Sequence, residues 1–255
     1  GDNALETNIE GIPTSDINGL YGGADAADNS GAISYISIRH GGSNIGEGNE
    51  INGLTLGGVG SGTRIEGVEV VANADDGIEW FGGTVDVSKV LIWNSNDDGL
   101  DTDQDWQGTC SDYVIVTPQG GSAFELDGAE GTAKVNGAAG FHTFSNGVVY
   151  VGADADHVVD WDDATNAALV DLYIYGWGDY SGTAIESFAG DGSGTSSGWE
   201  TTLNEGDTLA SVLGIEAAAI TSEVTVGART KGPEKAVFDT WTWAGLSGAL
   251  TTIGL

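Results

Sequence analysis

The stretch NSNDDGLDTDQDWQGT, residues 94–109, places five aspartates within sixteen residues and contains no Lys or Arg. Carboxylates at this density could perform two kinds of chemistry. A pair could act as the acid and the base of glycoside hydrolysis, and a cluster could bind a hard cation such as Ca²⁺. A solvated acidic loop is the interpretation without chemistry. The choice depends on where the surrounding strands place these side chains.

Short segments with the alternation of β-strands recur at intervals of about 23 residues. One series begins at Gly53, Gly77, Gly99, Ala123, Val158 and Ala184, and the other begins at Gly67, Lys89, Asp112, Gly147 and Asp171. Both series contain one long interval, which indicates an insertion near residues 128–146. A Gly-Thr marker recurs once per repeat as well. Three extended segments per turn of 22–24 residues predict an all-β fold, a right-handed parallel β-helix whose coils stack about 4.8 Å apart.

The repeat also predicts how the chain is divided. Residues 31–190 form the β-helix, residues 1–30 cover one end, and residues 191–255 form a C-terminal cap with appended strands, because an open solenoid end must be covered. Within the cap, the sequence DTLASVLGIEAAAI predicts a short helix that begins after Asp207.

Acidic residues fill one column of the aligned repeats. The third position of the first series is occupied by Thr55, Glu79, Asp101, Glu125, Asp160 and Glu186, and the fifth position adds Asp103, Asp127 and Asp162. Stacked like charges about 5 Å apart repel by about 3 kcal/mol per pair at an effective dielectric constant of 20. Bound Ca²⁺, raised pKa values or salt screening could each relieve this repulsion. We expect a calcium site built from Glu79, Asp101, Asp103, Glu125, Asp127, Asp160 and Asp162, with a solvated acidic face as the competing interpretation.

Aromatic and aliphatic residues fill the outward face of the second series. This face contains Leu91, Trp93, Val114, Val116, Val149, Val151, Tyr173 and Tyr175. It should not stay in contact with water. Either the terminal segment with Trp241 and Trp243, or the insertion around Phe141 and Phe144, covers it, or it docks another protein or a second copy. On other surfaces, Phe81, Trp106 and Tyr180 are candidate exposed contacts for glycans.

Composition excludes several classes of partner. The formal net charge of −32 argues against nucleic acid and anionic membranes, which need basic clusters. No apolar run is long enough to span a bilayer. The single cysteine, Cys110, cannot form an intrachain disulfide. Because the chain contains no Met and begins at Gly1, we expect a processed protein that is secreted or displayed at the cell surface.

Three stretches, GNEINGLTLGGVGSGTRIEGVEV, DDGIEWFGGTVDVSKVLIWNSNDDGLDTDQDWQGT and AFELDGAEG, carry a resemblance to a known family. Together with the ending FDTWTWAGLSGAL, they resemble secreted right-handed β-helix proteins common in marine Bacteroidota. The resemblance covers roughly residues 20–190 and implies export and a β-solenoid fold. It implies no particular reaction.

Catalysis is the main alternative to a binding module. Asp98 and Asp101 could form the acid and base pair of a hydrolase. However, the paired aspartates recur once per coil, as turn residues would, and the Gly-His-Gly motif of polygalacturonases is missing. A lyase needs cationic residues to neutralise a uronate, and residues 31–190 contain only Arg39, Arg64, Lys89 and Lys134. The sequence therefore favours a non-catalytic extracellular module for adhesion, assembly or glycan contact, with a polysaccharide-degrading enzyme as the alternative.

Overall fold

The computed structural model describes residues 7–9, 12–43, 51–117, 120–128, 141–162, 165–188, 196–225 and 227–255. Strands β1 (Thr7–Asn8) and β2 (Leu20–Tyr21) form an antiparallel pair near the N-terminus. A five-stranded parallel sheet contains β4 (Leu54–Gly57), β6 (Ile78–Phe81), β8 (Leu100–Asp103), β10 (Ser122–Leu126) and β12 (His157–Trp161). An eight-stranded parallel sheet contains β3 (Ala32–Arg39), β5 (Arg64–Val71), β7 (Val87–Trp93), β9 (Thr109–Val116), β11 (His142–Tyr150), β13 (Ala167–Tyr175), β14 (Trp199–Thr201) and β15 (Thr221–Glu223).

The register of the parallel strands follows the sequence repeat. Ile78 pairs with Leu100 in the next coil, and Leu100 pairs in turn with Phe124. On the other sheet, Val90 pairs with Tyr113. Successive coils therefore add one strand to each sheet, and the predicted parallel β-helix is confirmed.

Each long strand of the eight-stranded sheet joins two of the three predicted segments. A residue with left-handed backbone conformation lies at the junction, and these residues stack as Tyr35, Gly67, Lys89, Asp112, Asn146, Asp171 and Gly198. Asn, Asp and Gly tolerate positive φ better than other residues do. The Asn146 side chain also donates a 2.6 Å hydrogen bond to Asp112 Oδ1 in the neighbouring coil. The bend turns one continuous strand around the core, so the three segments of a coil form two sheets.

Inward side chains fill the interior of the solenoid. From the five-stranded sheet, Ile78, Trp80, Leu100, Phe124 and Trp161 point inward and are buried in one cluster. The Trp80 ring stacks on Trp106 with 4.6 Å between centroids.

One coil of the second series differs from the prediction by one residue. Val149 and Val151 lie in the interior, whereas Val148 faces outward and pairs with Tyr173. The positive φ of Asn146 places Gly147 on the inward side. A Cβ atom at Gly147 would overlap the Tyr113 ring, which fills that space from the coil before. The prediction was wrong here because it began the repeat segment at Gly147, whereas the residue that aligns with Asp112 is Asn146.

The C-terminal part continues the solenoid before it becomes helical. β14 pairs with β13 and β15 pairs with β14, both in parallel. The predicted helix is α1 (Leu209–Ala218), and its N-cap is Thr208 instead of Asp207, with a capping box to Ser211. Two short helices follow, α2 (Trp243–Leu246) and α3 (Ala249–Thr252). Among the described residues, no helix has both the length and the apolar character that crossing a membrane requires.

The segment with Trp241 and Trp243 covers the apolar face of the eight-stranded sheet, as one of the two predictions proposed. The buried cluster contains Leu91, Val114, Val116, Val148, Tyr173 and Tyr175 from the sheet and Phe238, Ala244 and Leu250 from the segment. Trp243 packs edge-on against Trp93 at 5.7 Å. The face is therefore not available for docking while this segment is in place. Residues 129–140, which make up most of the predicted insertion, lie outside the described residues.

Candidate functional site

The five-stranded sheet aligns the predicted acidic column. Neighbouring strands of this sheet pair the residues Thr55, Glu79, Asp101, Glu125 and Asp160 in that order. Glu186 lies in the next coil, and its backbone N–H donates to Val159 O. We call Glu79, Asp101, Glu125, Asp160 and Glu186 the acidic ladder. Residues far apart along the chain are neighbours in it because all of them occupy the same position of the repeat.

A second column of carboxylates precedes the acidic ladder. Asp76 and Asp98 are the second members of the recurring aspartate pairs, and both are buried. Asp76 Oδ1 accepts a 3.0 Å hydrogen bond from the backbone N–H of Asp98, and Asp98 Oδ1 accepts one from that of Ser122. Each therefore fixes the turn of the next coil, as the recurrence of the pair predicted. Their position also adds carboxylate groups beside Glu79 and Asp101.

Three of these carboxylates form a compact buried group. One oxygen each from Asp76, Glu79 and Asp101 lies within 4.8 Å of the others. All three side chains are buried. Carboxylate oxygens at such separations could share one divalent cation, and an all-oxygen set suits Ca²⁺. Glu79 also accepts a hydrogen bond from the Asn52 amide.

Electrostatics at this group favour protons or cations. Burial, with added repulsion from neighbouring carboxylates, raises the pKa values of Asp76 and Asp101 well above the usual range. The pKa of Glu125 rises to about 10 because of burial and a hydrogen bond with Asp98. Burial also raises the pKa of Asp160. At neutral pH the metal-free cluster therefore retains protons that ordinary carboxyl groups would lose.

The cationic side chains of the described residues contact other parts of the molecule. Lys89 and Arg64 pair with Glu66, Lys231 with Asp171, and Lys235 with Asp239. Arg39 donates to Ser37, and Arg229 donates to three backbone carbonyls. Lys134 lies outside the described residues. Within the described part of the chain, no Lys or Arg forms a salt bridge with the acidic ladder.

Comparison with known families agrees with this architecture. Residues 3–231 match the family described as the pectate-lyase-like β-helix domain. The chain belongs to this family. No curated protein and no solved structure matches the chain. Membership of the pectate-lyase-like β-helix family supports the solenoid fold and is compatible with a polysaccharide-related or extracellular role. Marine origin and secretion stay predictions.

In this pectate-lyase-like β-helix domain, a histidine joins the far end of the acidic ladder. His157 Nε2 lies 2.9 Å from Glu186 Oε2, and its Nδ1 lies 3.8 Å from Asp160 Oδ2. These three residues form a second group of potential metal ligands. His157 is the first residue of β12. His142 falls within the range predicted for the insertion, residues 128–146, but it belongs to β11 and lies buried against Trp106.

The acids at the fifth position of the repeat lie on or directly after the same strands. They do not belong to the compact group of Asp76, Glu79 and Asp101. Asp103 pairs in register with Phe81 and accepts a 2.6 Å hydrogen bond from the backbone of Gln104. The backbone N–H groups of Asp127 and Asp162 donate to the preceding coil. Among the described residues, three groups of potential metal ligands occur, and neither Glu125 nor these three aspartates belong to them. Asp75, Asp76 and Asp97 form the third group.

Two of the predicted glycan contacts are not exposed. Phe81 is 2% exposed because Tyr21 packs on it at 5.7 Å, and Trp106 is fully buried, with its Nε1 donating to Val85 O. Tyr180 is half-buried, packs against Trp177 and donates to Asp156 O. Trp93, Tyr173 and Tyr175 belong to the covered apolar face.

Sequence reasoning missed two buried carboxylates on the eight-stranded sheet. Glu69 accepts hydrogen bonds from the backbone N–H groups of Trp243 and Ala244, each 2.9 Å long. Glu200 accepts them from Thr230 and Lys231. The signal available in the sequence was one acid inside an otherwise apolar segment, GVEVV. Its partners, more than 170 positions later, carry no matching signal.

Proposed function

We propose that this protein is a non-catalytic β-solenoid module that acts outside the cell or at its surface, binds Ca²⁺ at the acidic ladder and contacts polysaccharide. One observation carries the cation site: the carboxylates of Asp76, Glu79 and Asp101 are buried within 4.8 Å of one another. The described Lys and Arg side chains contact other groups, so a bound cation would neutralise this cluster.

The ligand chemistry favours calcium over other divalent cations. The cluster offers carboxylate oxygens and lacks the Cys or His ligands that zinc prefers. Magnesium retains several waters in a strict octahedral geometry, whereas calcium accepts an irregular set of oxygens. Because ligands must lose their protons to bind a metal, calcium would displace the protons that the raised pKa values retain.

A calcium titration of the full chain tests this function. After treatment with a chelator, the protein is titrated with CaCl₂ at pH 8 while its melting temperature and heat of binding are measured. A cation that binds the folded state stabilises it by about 2.7 kcal/mol when its concentration is 100 times the Kd. Asp101→Asn and Glu79→Gln should remove most of this gain. Glu216→Gln, which removes an exposed acid on α1, serves as the control.

Equal melting temperatures in chelator and in excess calcium would contradict the cation site. Binding that Asp101→Asn and Glu216→Gln weaken equally would indicate general attraction by the net charge instead.

A polysaccharide-degrading enzyme is the second candidate. Its support is the hydrogen bond between Glu125 and Asp98, in which a carboxyl group with a pKa of about 10 lies against a second carboxyl group. One protonated and one ionised carboxyl group are what glycoside hydrolysis requires. The predicted pair was Asp98 and Asp101, and the structure adds Glu125 beside it. Against this role, Asp98 is already hydrogen-bonded to the backbone of Ser122.

An activity screen separates the two candidates. Polygalacturonate, xylan and neutral glucans are incubated with the protein, with and without calcium, and reducing ends and unsaturated products are measured. The module should release neither. Product release that Glu125→Gln abolishes and Glu216→Gln does not would establish the enzyme.

A further inference from the structure

A cavity of about 350 Å³ lies between the ends of β11 and β13 and the C-terminal segment, on the sheet opposite the acidic ladder. Tyr150, Tyr173, Tyr175 and Trp177 form its aromatic walls, and Thr202, Asn204 and Arg229 supply polar groups. This volume falls at the lower end of the range for small-molecule sites, roughly 300–1,000 Å³. Aromatic walls with a few polar groups are typical of such sites.

The aromatic rings in this cavity are held in fixed orientations. Tyr173 and Tyr175 stack in parallel at 4.8 Å, and Tyr150 meets Tyr175 edge-on at 5.2 Å. The guanidinium of Arg229 lies 5.7 Å from the Tyr173 ring. Rings that are already ordered lose little conformational entropy when a ligand packs on them.

One residue that lines the cavity has a buried hydroxyl without a partner. Tyr175 is 8% exposed, and its hydroxyl is buried without a hydrogen bond. A buried hydroxyl in this state is less favourable than a hydrogen-bonded one. By contrast, the Tyr173 hydroxyl is 2.9 Å from Thr202 Oγ1, and Asn204 donates to Gly178 O. A ligand that carries its own hydroxyl groups would satisfy Tyr175.

The charge of the cavity differs from that of the whole protein. Although the chain carries 39 acidic residues, no Asp or Glu among the described residues lines this cavity. Arg229 uses three of its N–H groups on the carbonyls of Lys231, Gly232 and Pro233. The net charge of −32 opposes the approach of an anion. A neutral ligand is therefore favoured.

We infer that this tyrosine cavity, defined by Tyr150, Tyr173, Tyr175 and Trp177, binds a neutral sugar ring. A pyranose has an apolar face of C–H groups that can pack on an aromatic ring, and an edge of hydroxyl groups that can hydrogen-bond to Tyr175 when a small movement of its ring exposes the hydroxyl. The inference rests on the proposed contact with polysaccharide and names a site for it. It does not depend on the calcium site, which lies on the other sheet.

Removal of single hydroxyl groups tests the inference without disturbing the fold. The full chain in chelator is titrated with the methyl glycosides of glucose, galactose, mannose and xylose, and with glucuronate and galacturonate, by calorimetry and tryptophan fluorescence. We expect saturable binding of at least one neutral glycoside and about tenfold weaker binding by Tyr175→Phe. Because this hydroxyl has no partner, the variant should melt at or above the temperature of the parent.

Tyr113→Phe is the matched control, because Tyr113 also carries a buried hydroxyl without a partner but lies in the solenoid core. It should leave the sugar affinity unchanged. No saturable binding of any neutral glycoside would overturn the inference, as would equal binding by parent and Tyr175→Phe, or binding of the acidic sugars alone. A separate calcium titration without sugar shows whether the proposed cation site is absent as well as the sugar site.

Discussion

Glu69 and Glu79 both lie on β-strands and are both nearly inaccessible, at 0% and 5% exposure, yet their surroundings differ. Glu69, on the eight-stranded sheet, accepts hydrogen bonds from two backbone N–H groups and the Ser37 hydroxyl. Glu79, on the five-stranded sheet, lies among other carboxylates and accepts one from Asn52. The first environment supplies hydrogen-bond donors to a buried carboxyl group, whereas the second surrounds it with further carboxyl groups that could share a cation.

The same contrast extends to their neighbours. Burial alone would raise the pKa of Glu200, but hydrogen bonds from Thr230 and Lys231 outweigh burial and lower it. For Asp101, burial and the neighbouring carboxylates act in the same direction, so its pKa rises. Burial of an acid therefore does not by itself indicate a functional site. The supply of hydrogen-bond donors separates a carboxylate that fastens two segments from one that could bind a ligand.

The largest effect should come from Glu69→Gln. Glutamine has one acceptor oxygen in place of two, and its NH₂ group would face a backbone N–H of α2. We expect the free energy of unfolding in urea to fall by about 3 kcal/mol, since hydrogen bonds to charged groups contribute about 1.5–3 kcal/mol each. A loss below about 1 kcal/mol would contradict the fastening role.

Asp101→Asn should change stability in the opposite direction. In chelator at pH 7, the folded parent must either hold Asp101 protonated or bury its charge, and both cost free energy. Asparagine is neutral and removes that cost. We expect a gain of about 2 kcal/mol. Urea denaturation with and without calcium measures it. If the variant were less stable than the parent in chelator, Asp101 would stabilise the fold through hydrogen bonds, as Glu69 and Glu200 do.

The pH dependence of the metal-free protein gives the next effect. Glu125 has a pKa of about 10 in the folded state and 4.5 as its ordinary value. Its contribution to stability is complete below pH 4.5 and is lost as pH rises towards 10, because only the unfolded state ionises readily in this interval. Each extra bound proton lowers the free energy of unfolding by about 1.4 kcal/mol per pH unit. Denaturation series at pH 6, 7 and 8 in chelator measure the slope, and calcium should flatten it. A stability that rises with pH would show that the acidic ladder is ionised in the fold.

The smallest effect should follow Lys231→Met. Its ammonium lies 2.6 Å from Asp171 Oδ1, but both side chains are partly exposed. Pairs of this kind contribute about 0.2–1 kcal/mol. Urea denaturation should show a loss within that range that shrinks in high salt, and a larger loss would mean that this pair fastens the C-terminal segment as firmly as Glu69 does.

The sequence predicted those features that depend on the repeat. The alignment of Asp101 with Glu125 follows from a constant coil length, and so does the inward direction of Ile78 and Leu100. Contacts between distant segments leave no periodic signal. Tyr21 covers Phe81 from outside the repeat, and Trp106 turns inward after two residues with positive φ, Gln104 and Asp105.

The shift of one residue at Val149 has a different physical cause. The bend residue is Lys89 or Asp112 in the earlier coils and Asn146 in this one. The next residue is Gly147, and its lack of a side chain leaves room for the Tyr113 ring. A pattern of apolar residues cannot distinguish Val148 from Val149, because both are valines. The identity of the left-handed residue decides the register there, and Asn was the available clue.

The hydrogen bonds from residues 243 and 244 to Glu69 have a consequence for biosynthesis. A nascent chain can stack its coils as they emerge, but the outer surface of β7, β9 and β13 stays uncovered until the segment with Phe238, Ala244 and Leu250 has been translated. Until then, that surface is an exposed apolar face that a chaperone could bind or through which chains could aggregate. A ribosome-bound chain stalled before residue 238 should therefore bind a hydrophobic dye that the chain with residues 238–255 does not.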